Sequence, residues 1–210
     1  MLPDLTTLLL VRLGVDVLIA VAFWGQKRLY PTIGGPGWWA TGALLGIAAS
    51  VSLMMRIGGE GPMAAALSAV LLFASHACAW VGLRSYLGLP LPWRTLGVLL
   101  TCMAGLQFLI ASFTARPEQF QLVYAVTMMV MAVLVLRDLL AQRTHRFPPE
   151  YRALAALSLV EGGVLVGTTI WLLVRSTSLD GAVGFFLLFF LLTKFLRVLL
   201  FSALVSLRLL

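Results

Sequence analysis

The sequence predicts an all-α integral membrane protein, a bundle of seven transmembrane helices, and three observations carry that prediction. The chain is 61% hydrophobic and only 11% charged, against roughly 45–50% apolar residues in soluble domains. Seven apolar runs follow one another through its 210 residues, each long enough for a hydrocarbon core that needs about 20 helical residues. Between the runs lie short stretches of Gly, Pro and small polar residues, which interrupt helices at water-accessible turns. No polar block is large enough to fold separately in water, so residues 1–210 form a single transmembrane domain.

The spans follow in order. Leu5 to Gly25 is a Leu, Val and Ala run, followed by Lys27, Arg28 and the turn "YPTIGGPG". Gly37 to Ile57 ends at "GGEGP", Met63 to Leu87 at "GLPLP", and Trp93 to Thr114 at "ARPEQ". Phe120 to Ala141 leaves through a basic stretch ending in "HRFPPE", Tyr151 to Val174 ends at "STSLDG", and Ala182 to Ser206 is the last.

Loop charge sets the expected orientation. The first, third and fifth loops with their flanks carry eight basic residues (Lys27, Arg28, Arg84, Arg94, Arg137, Arg143, Arg146 and Arg152), against Arg56, Arg116 and Arg175 in the even loops. Basic residues accumulate on the cytoplasmic side, so the N-terminus is expected outside and the C-terminus in the cytoplasm. The same rule explains the net charge of +7 without a nucleic-acid partner. The expected partner of the long apolar surface is the lipid bilayer. Trp24, Tyr30, Trp38, Trp39, Tyr86, Trp93 and Trp171 fall near span borders, where aromatic side chains anchor at the interface. The N-terminus has no basic leader or small-residue cleavage site and carries Arg12 in its apolar run, so it does not read as a removable signal peptide.

Two spans contain glycines four apart, Gly42 with Gly46 and Gly163 with Gly167. That spacing lets another helix approach the backbone closely. The expectation is packing within the monomer, with a dimer face as the alternative.

Charges in the apolar runs are the candidate functional residues. With a rise of 1.5 Å per residue, Asp16, Glu161 and Lys194 all fall near the membrane midplane, with Arg12 and Arg197 about one turn away. Facing lipid and unpaired, the five would cost about 12 kcal/mol or more. They are therefore expected to face inward and pair. Arg12 can pair with Asp16 four residues on or snorkel toward the outer surface; the latter leaves Asp16 to face Lys194 and Arg197 to meet Glu161. The cluster is read either as interhelical clamps without a ligand or as a polar cavity that binds an anionic or zwitterionic ligand or changes protonation. His76 on the third span and Gln107 on the fourth are polar candidates to join it. Only His76 and His145 occur in the chain and Cys78 and Cys102 are not in a ligand spacing, so no metal site is expected. No cofactor is expected either.

One stretch resembles a known family. "WVGLRSYLGLPLPWR", Trp80 to Arg94, combines a span ending in Gly-Leu-Arg, an aromatic, a Gly-x-Pro turn and Trp-Arg opening the next span. With seven spans, an outside N-terminus and the "LVLRDLLAQR" exit of the fifth span, it resembles the N-terminal membrane sensor region of bacterial GGDEF-type diguanylate cyclases. The resemblance implies signal transduction: a sensor domain in a bacterial inner membrane, multi-pass and homodimeric, responding to an unknown small-molecule ligand. Its last helix would run into a cytoplasmic output domain that makes cyclic di-GMP. This chain contains no GGDEF motif and by itself is not expected to be an enzyme. Leu196, Leu199, Leu200, Ala203, Leu204 and Leu207 have helical three-and-four spacing, which could carry an interface toward the cytoplasm.

Other classes fit less well. A histidine-kinase sensor region shares the topology. A small transporter fits the midplane charges, but the odd number of spans and the lack of a duplicated half argue against inverted-repeat designs. A retinal protein is suggested by Lys194, yet the third span has no acid for a counterion and Phe190 lies four residues before the lysine. An intramembrane enzyme would need a nucleophile and base, HExxH or GxSxG, none of which is found.

Overall fold

The computed structural model describes residues 5–57, 61–113 and 117–141, together with helical residues within 153–167 and 192–206. Five helices run through the described residues: α1 (Leu5–Leu29), α2 (Pro36–Ile57), α3 (Gly61–Tyr86), α4 (Trp93–Phe113) and α5 (Pro117–Ala141). All five are long and apolar enough to cross a membrane, and no strand occurs among the described residues. Helical residues are also described within the ranges of the expected sixth and seventh spans, here called the sixth and seventh segments. Residues 168–191 lie outside the described residues, with Trp171 and Arg175, as do His145, Arg116, Arg143, Arg146, Arg152 and Leu207.

Local chemistry accounts for the helix ends. α1 runs four residues past Gly25, taking Lys27 and Arg28 into its last turn, where cations oppose the negative end of the helix dipole. Lys27 Nζ donates to Pro31 O at 2.7 Å. Gly35 then takes φ 108°, a left-handed conformation that glycine adopts without steric cost. Pro36 opens α2, a first helical position where the missing N–H is no loss. α3 closes on Gly88 at φ 72°, with Leu89 N–H donating to Arg84 O at 2.9 Å and Gly88 N–H to Ser85 O at 3.3 Å. This is the paired closure that ends a helix on a left-handed glycine, so "GLPLP" in the sequence is a built stop.

α2 and α3 pack antiparallel. Three serines along their contact donate across it: Ser52 Oγ to Ala64 O at 2.9 Å, Ser68 Oγ to Ala49 O at 3.0 Å and Ser75 Oγ to Gly42 O at 2.6 Å. Such bonds hold helices together where lipid supplies no hydrophobic drive. A Cβ on Gly42 would lie 2.9 Å from Ser75 O, so this approach needs glycine. Gly163 and Gly167 differ: both are exposed, and no described residue lies within 4 Å of either Cβ position.

The core at one end is aromatic. Trp39 stacks on Phe201 at 4.1 Å and 2°, has Phe23 at 5.2 Å and Tyr86 at 6.2 Å, and donates from Nε1 to Ala79 O at 3.3 Å. Tyr86 Oη donates to Leu204 O at 2.5 Å. Trp39 and Tyr86 are therefore buried, a correction to their expected place as interfacial anchors: their polar tips found backbone partners inside the bundle, which removes the need for a wet border. Trp24 and Trp93 are exposed. Substituting Gly82 by Ala would place a Cβ 2.3 Å from Trp39 Nε1, and overpacking of this kind costs about 1–3 kcal/mol. The expected result is a thermal midpoint lowered by several degrees in detergent, with Gly97→Ala, which meets no described atom within 4 Å, as the control.

Candidate functional site

Beyond the aromatic cluster the bundle interior becomes charged. α1 brings Arg12 and Asp16, one turn apart, to face the seventh segment. Lys194 forms an ion pair with Asp16, whose side chain is fully buried. Arg197, one turn further on, forms an ion pair with Glu161 of the sixth segment. Arg12 Nε lies 3.9 Å from Asp16 Oδ2.

Depth alone allowed Arg12 to leave the cluster for the outer surface; the structure keeps it inside, buried and lining the cavity described below. The physical reason is Asp16: its carboxylate is completely enclosed, and a second cation beside it lowers the cost of enclosure. Room for the Asp16–Lys194 pair comes from α2. A Cβ on Gly46 would lie 2.9 Å from both Asp16 Oδ2 and Lys194 Nζ, so the glycine is a slot for two charged heads as well as a helix contact.

Between the ion pairs and the aromatic cluster is a cavity of about 70 Å³. Arg12, Lys194, Arg197 and Glu161 line its polar part, and Phe23, Trp39 and Phe201 its apolar end. A second cavity of about 40 Å³ adjoins it, lined by α3, α5 and the sixth and seventh segments. His76, Ala79, Glu161, Arg197 and Phe201 border both. The Arg197–Glu161 pair is thus part of the wall between two spaces. His76 Nδ1 is 2.8 Å from Leu72 O; in the neutral ring that contact puts the proton on Nδ1 and leaves Nε2 as an acceptor. Its ring also meets the Tyr124 ring edge-on at 6.5 Å.

No protein family, curated protein or solved structure matches this chain.

Of the seven polar candidates, six come together and one does not. Arg12, Asp16, Glu161, Lys194, Arg197 and His76 form the cluster. Gln107 is buried on α4, its Nε2 3.8 Å from Met103 Sδ, and lines neither cavity. Among the described residues no group of three His, Cys, Asp or Glu could hold a metal ion.

A second charged network lies near the far ends of α3 and α5. Asp138 Oδ2 accepts from Arg84 Nη1 at 2.6 Å and from Trp80 Nε1 at 2.8 Å, and the guanidinium lies 5.6 Å above the Trp80 ring. Arg84 Nε donates to Pro90 O at 3.0 Å, and the exposed Arg137 reaches Asp138 Oδ1 at 3.4 Å. Sequence reasoning counts Arg84 and Arg137 as flanking charge and passes over Asp138. The available signal is a lone acid in "VLRDLL", at the same end of its span as "GLRSY". The network ties the end of α3 to the end of α5, and it fixes the turn after α3 through Pro90.

Proposed function

We propose that the chain is a membrane-embedded sensory input module, a seven-span bundle with its N-terminus outside. It acts as a homodimer in a bacterial inner membrane, and its seventh segment transmits a signal to a cytoplasmic output domain, a diguanylate cyclase in the full-length protein. The observation that carries this reading is the double role of that segment. Lys194 and Arg197 each hold an ion pair at the cavity, while Phe201 and Leu204 on the same segment hold the aromatic core and accept the Tyr86 hydrogen bond. Anything that rearranges the pairs acts on the helix that would leave the membrane.

Signalling by such a module is a population shift, which needs a stimulus that interacts differently with two arrangements. The Arg197–Glu161 pair in the cavity wall is the contact that would part in the second arrangement. In the full-length protein, Asp16→Asn and Glu161→Gln are expected to change cellular cyclic di-GMP by at least about fivefold, the lower end of common coupling free energies, at unchanged membrane abundance. Wild-type output from both variants would refute the sensory role of the cluster.

A further inference from the structure

We propose that the cavity binds a small monoanion with an apolar body, a short-chain carboxylate of about four carbons. The assignment rests on the sensory reading of the cavity and names its ligand class. Charge is the first argument. The cluster contains the bases Arg12, Lys194 and Arg197 and the acids Asp16 and Glu161, so one positive charge is left over among the described residues. Uncompensated charge inside a membrane bundle is costly. A monoanion neutralises the excess, whereas a dianion reverses it.

An unsatisfied donor is the second argument. Arg197 gives Nη2 to Glu161, but its buried Nε–H has no hydrogen-bond partner among the described residues. Buried donors are almost always satisfied, and a guanidinium presents its donors as a fork suited to carboxylate oxygens. Arg197 lines the cavity together with Lys194 and Arg12.

Shape and polarity give the rest of the ligand. From Lys194 to Phe201 the seventh segment rises about 10 Å, and over that length the lining changes from cationic heads to Trp39, Phe23 and Phe201. A bare inorganic anion would leave the aromatic end unfilled. A cavity of about 70 Å³ holds about five to seven water-sized groups, and butyrate has six non-hydrogen atoms.

The test is calorimetric titration of the full chain in lipid nanodiscs with butyrate, its neutral analogue butyramide, and succinate. Butyrate is expected to bind, with butyramide at least about tenfold weaker, since a hydrogen bond to a charged group is worth about that factor. Succinate is expected to bind more weakly than butyrate. Arg12→Gln removes the excess charge while leaving both interhelical ion pairs in place, and it is expected to weaken butyrate at least about tenfold; its unliganded melting temperature reads separately any stability lost with the Arg12–Asp16 contact. Three results would each overturn the assignment: no butyrate binding up to about 10 mM, equal affinity for butyrate and butyramide, or tighter binding of succinate. Failure here leaves the output of Asp16→Asn and Glu161→Gln as an independent measure of sensing, and silent output with intact butyrate binding would separate the two claims the other way.

Discussion

Replacing Arg84 by Ala is expected to lower the stability of the bundle by about 3–5 kcal/mol, the cost of leaving a buried charge without its partner. Asp138 is 4% exposed. In the variant its carboxylate would keep, among the described residues, only the Trp80 indole and Arg137, whose side chain is 65% exposed and screened by solvent. Loss of the Arg84 Nε bond to Pro90 O also frees the turn that closes α3. Thermal unfolding of the purified protein in detergent, followed by aggregation or by a thiol-reactive dye, reads the effect. The double variant Arg84→Met, Asp138→Leu should recover most of the loss, because an apolar pair of similar volume often replaces a buried ion pair at little cost. A loss below about 1 kcal/mol for Arg84→Ala would place the network among pairs of surface strength.

Lys194→Met is expected to cost about 3 kcal/mol or more for the same reason, at greater depth. Asp16 is fully buried, and without Lys194 its nearest cation is Arg12 at 3.9 Å. Adding Asp16→Asn to Lys194→Met removes both charges and should restore most of the stability. Output distinguishes the two roles of the pair. If it is a clamp, the stable double variant in the full-length protein signals like the parent. On the sensory function proposed above, the expected result is that stability returns while the output of the full-length protein stays altered, because the cavity has lost a cationic wall residue that a packed methionine cannot replace.

Much of this was legible in the sequence, for identifiable reasons. Helix boundaries from hydropathy and punctuation agree with α1 to α5 within a few residues, because backbone groups in lipid have to be satisfied within the segment. Turn chemistry was legible for the same reason: Gly88 and Pro36 stand where a left-handed closure and a helix start need them. The meeting of Asp16 with Lys194 and of Arg197 with Glu161 followed from depth and from the cost of a charge in hydrocarbon, which leaves few other pairings at that level.

Other features were not legible, because each depends on which faces of different helices meet. Arg12 turned inward since Asp16 is enclosed more completely than spacing along one helix reveals. Gln107, polar and at similar depth, stayed apart because α4 packs on α3 and α5 away from the cavity. Trp39, an apparent anchor at a span border, became the centre of the aromatic core through its stack on Phe201, a residue 162 positions further along the chain. Gly46 became a slot for an ion pair formed by two other helices.

Composition and hydropathy by themselves determined the helical character of the described residues, that α1 to α5 are long and apolar enough to cross a membrane, and that deep charges must face inward, since each of these follows from solvation of one segment at a time. Tertiary structure alone decided that three cations and the Glu161 carboxylate line one cavity with aromatic side chains, and that Arg84 and Asp138 join two motifs 54 residues apart. Solvation cost accrues residue by residue and can be read along a chain; pairing is a matter of the rotation of one helix against another, which packing sets.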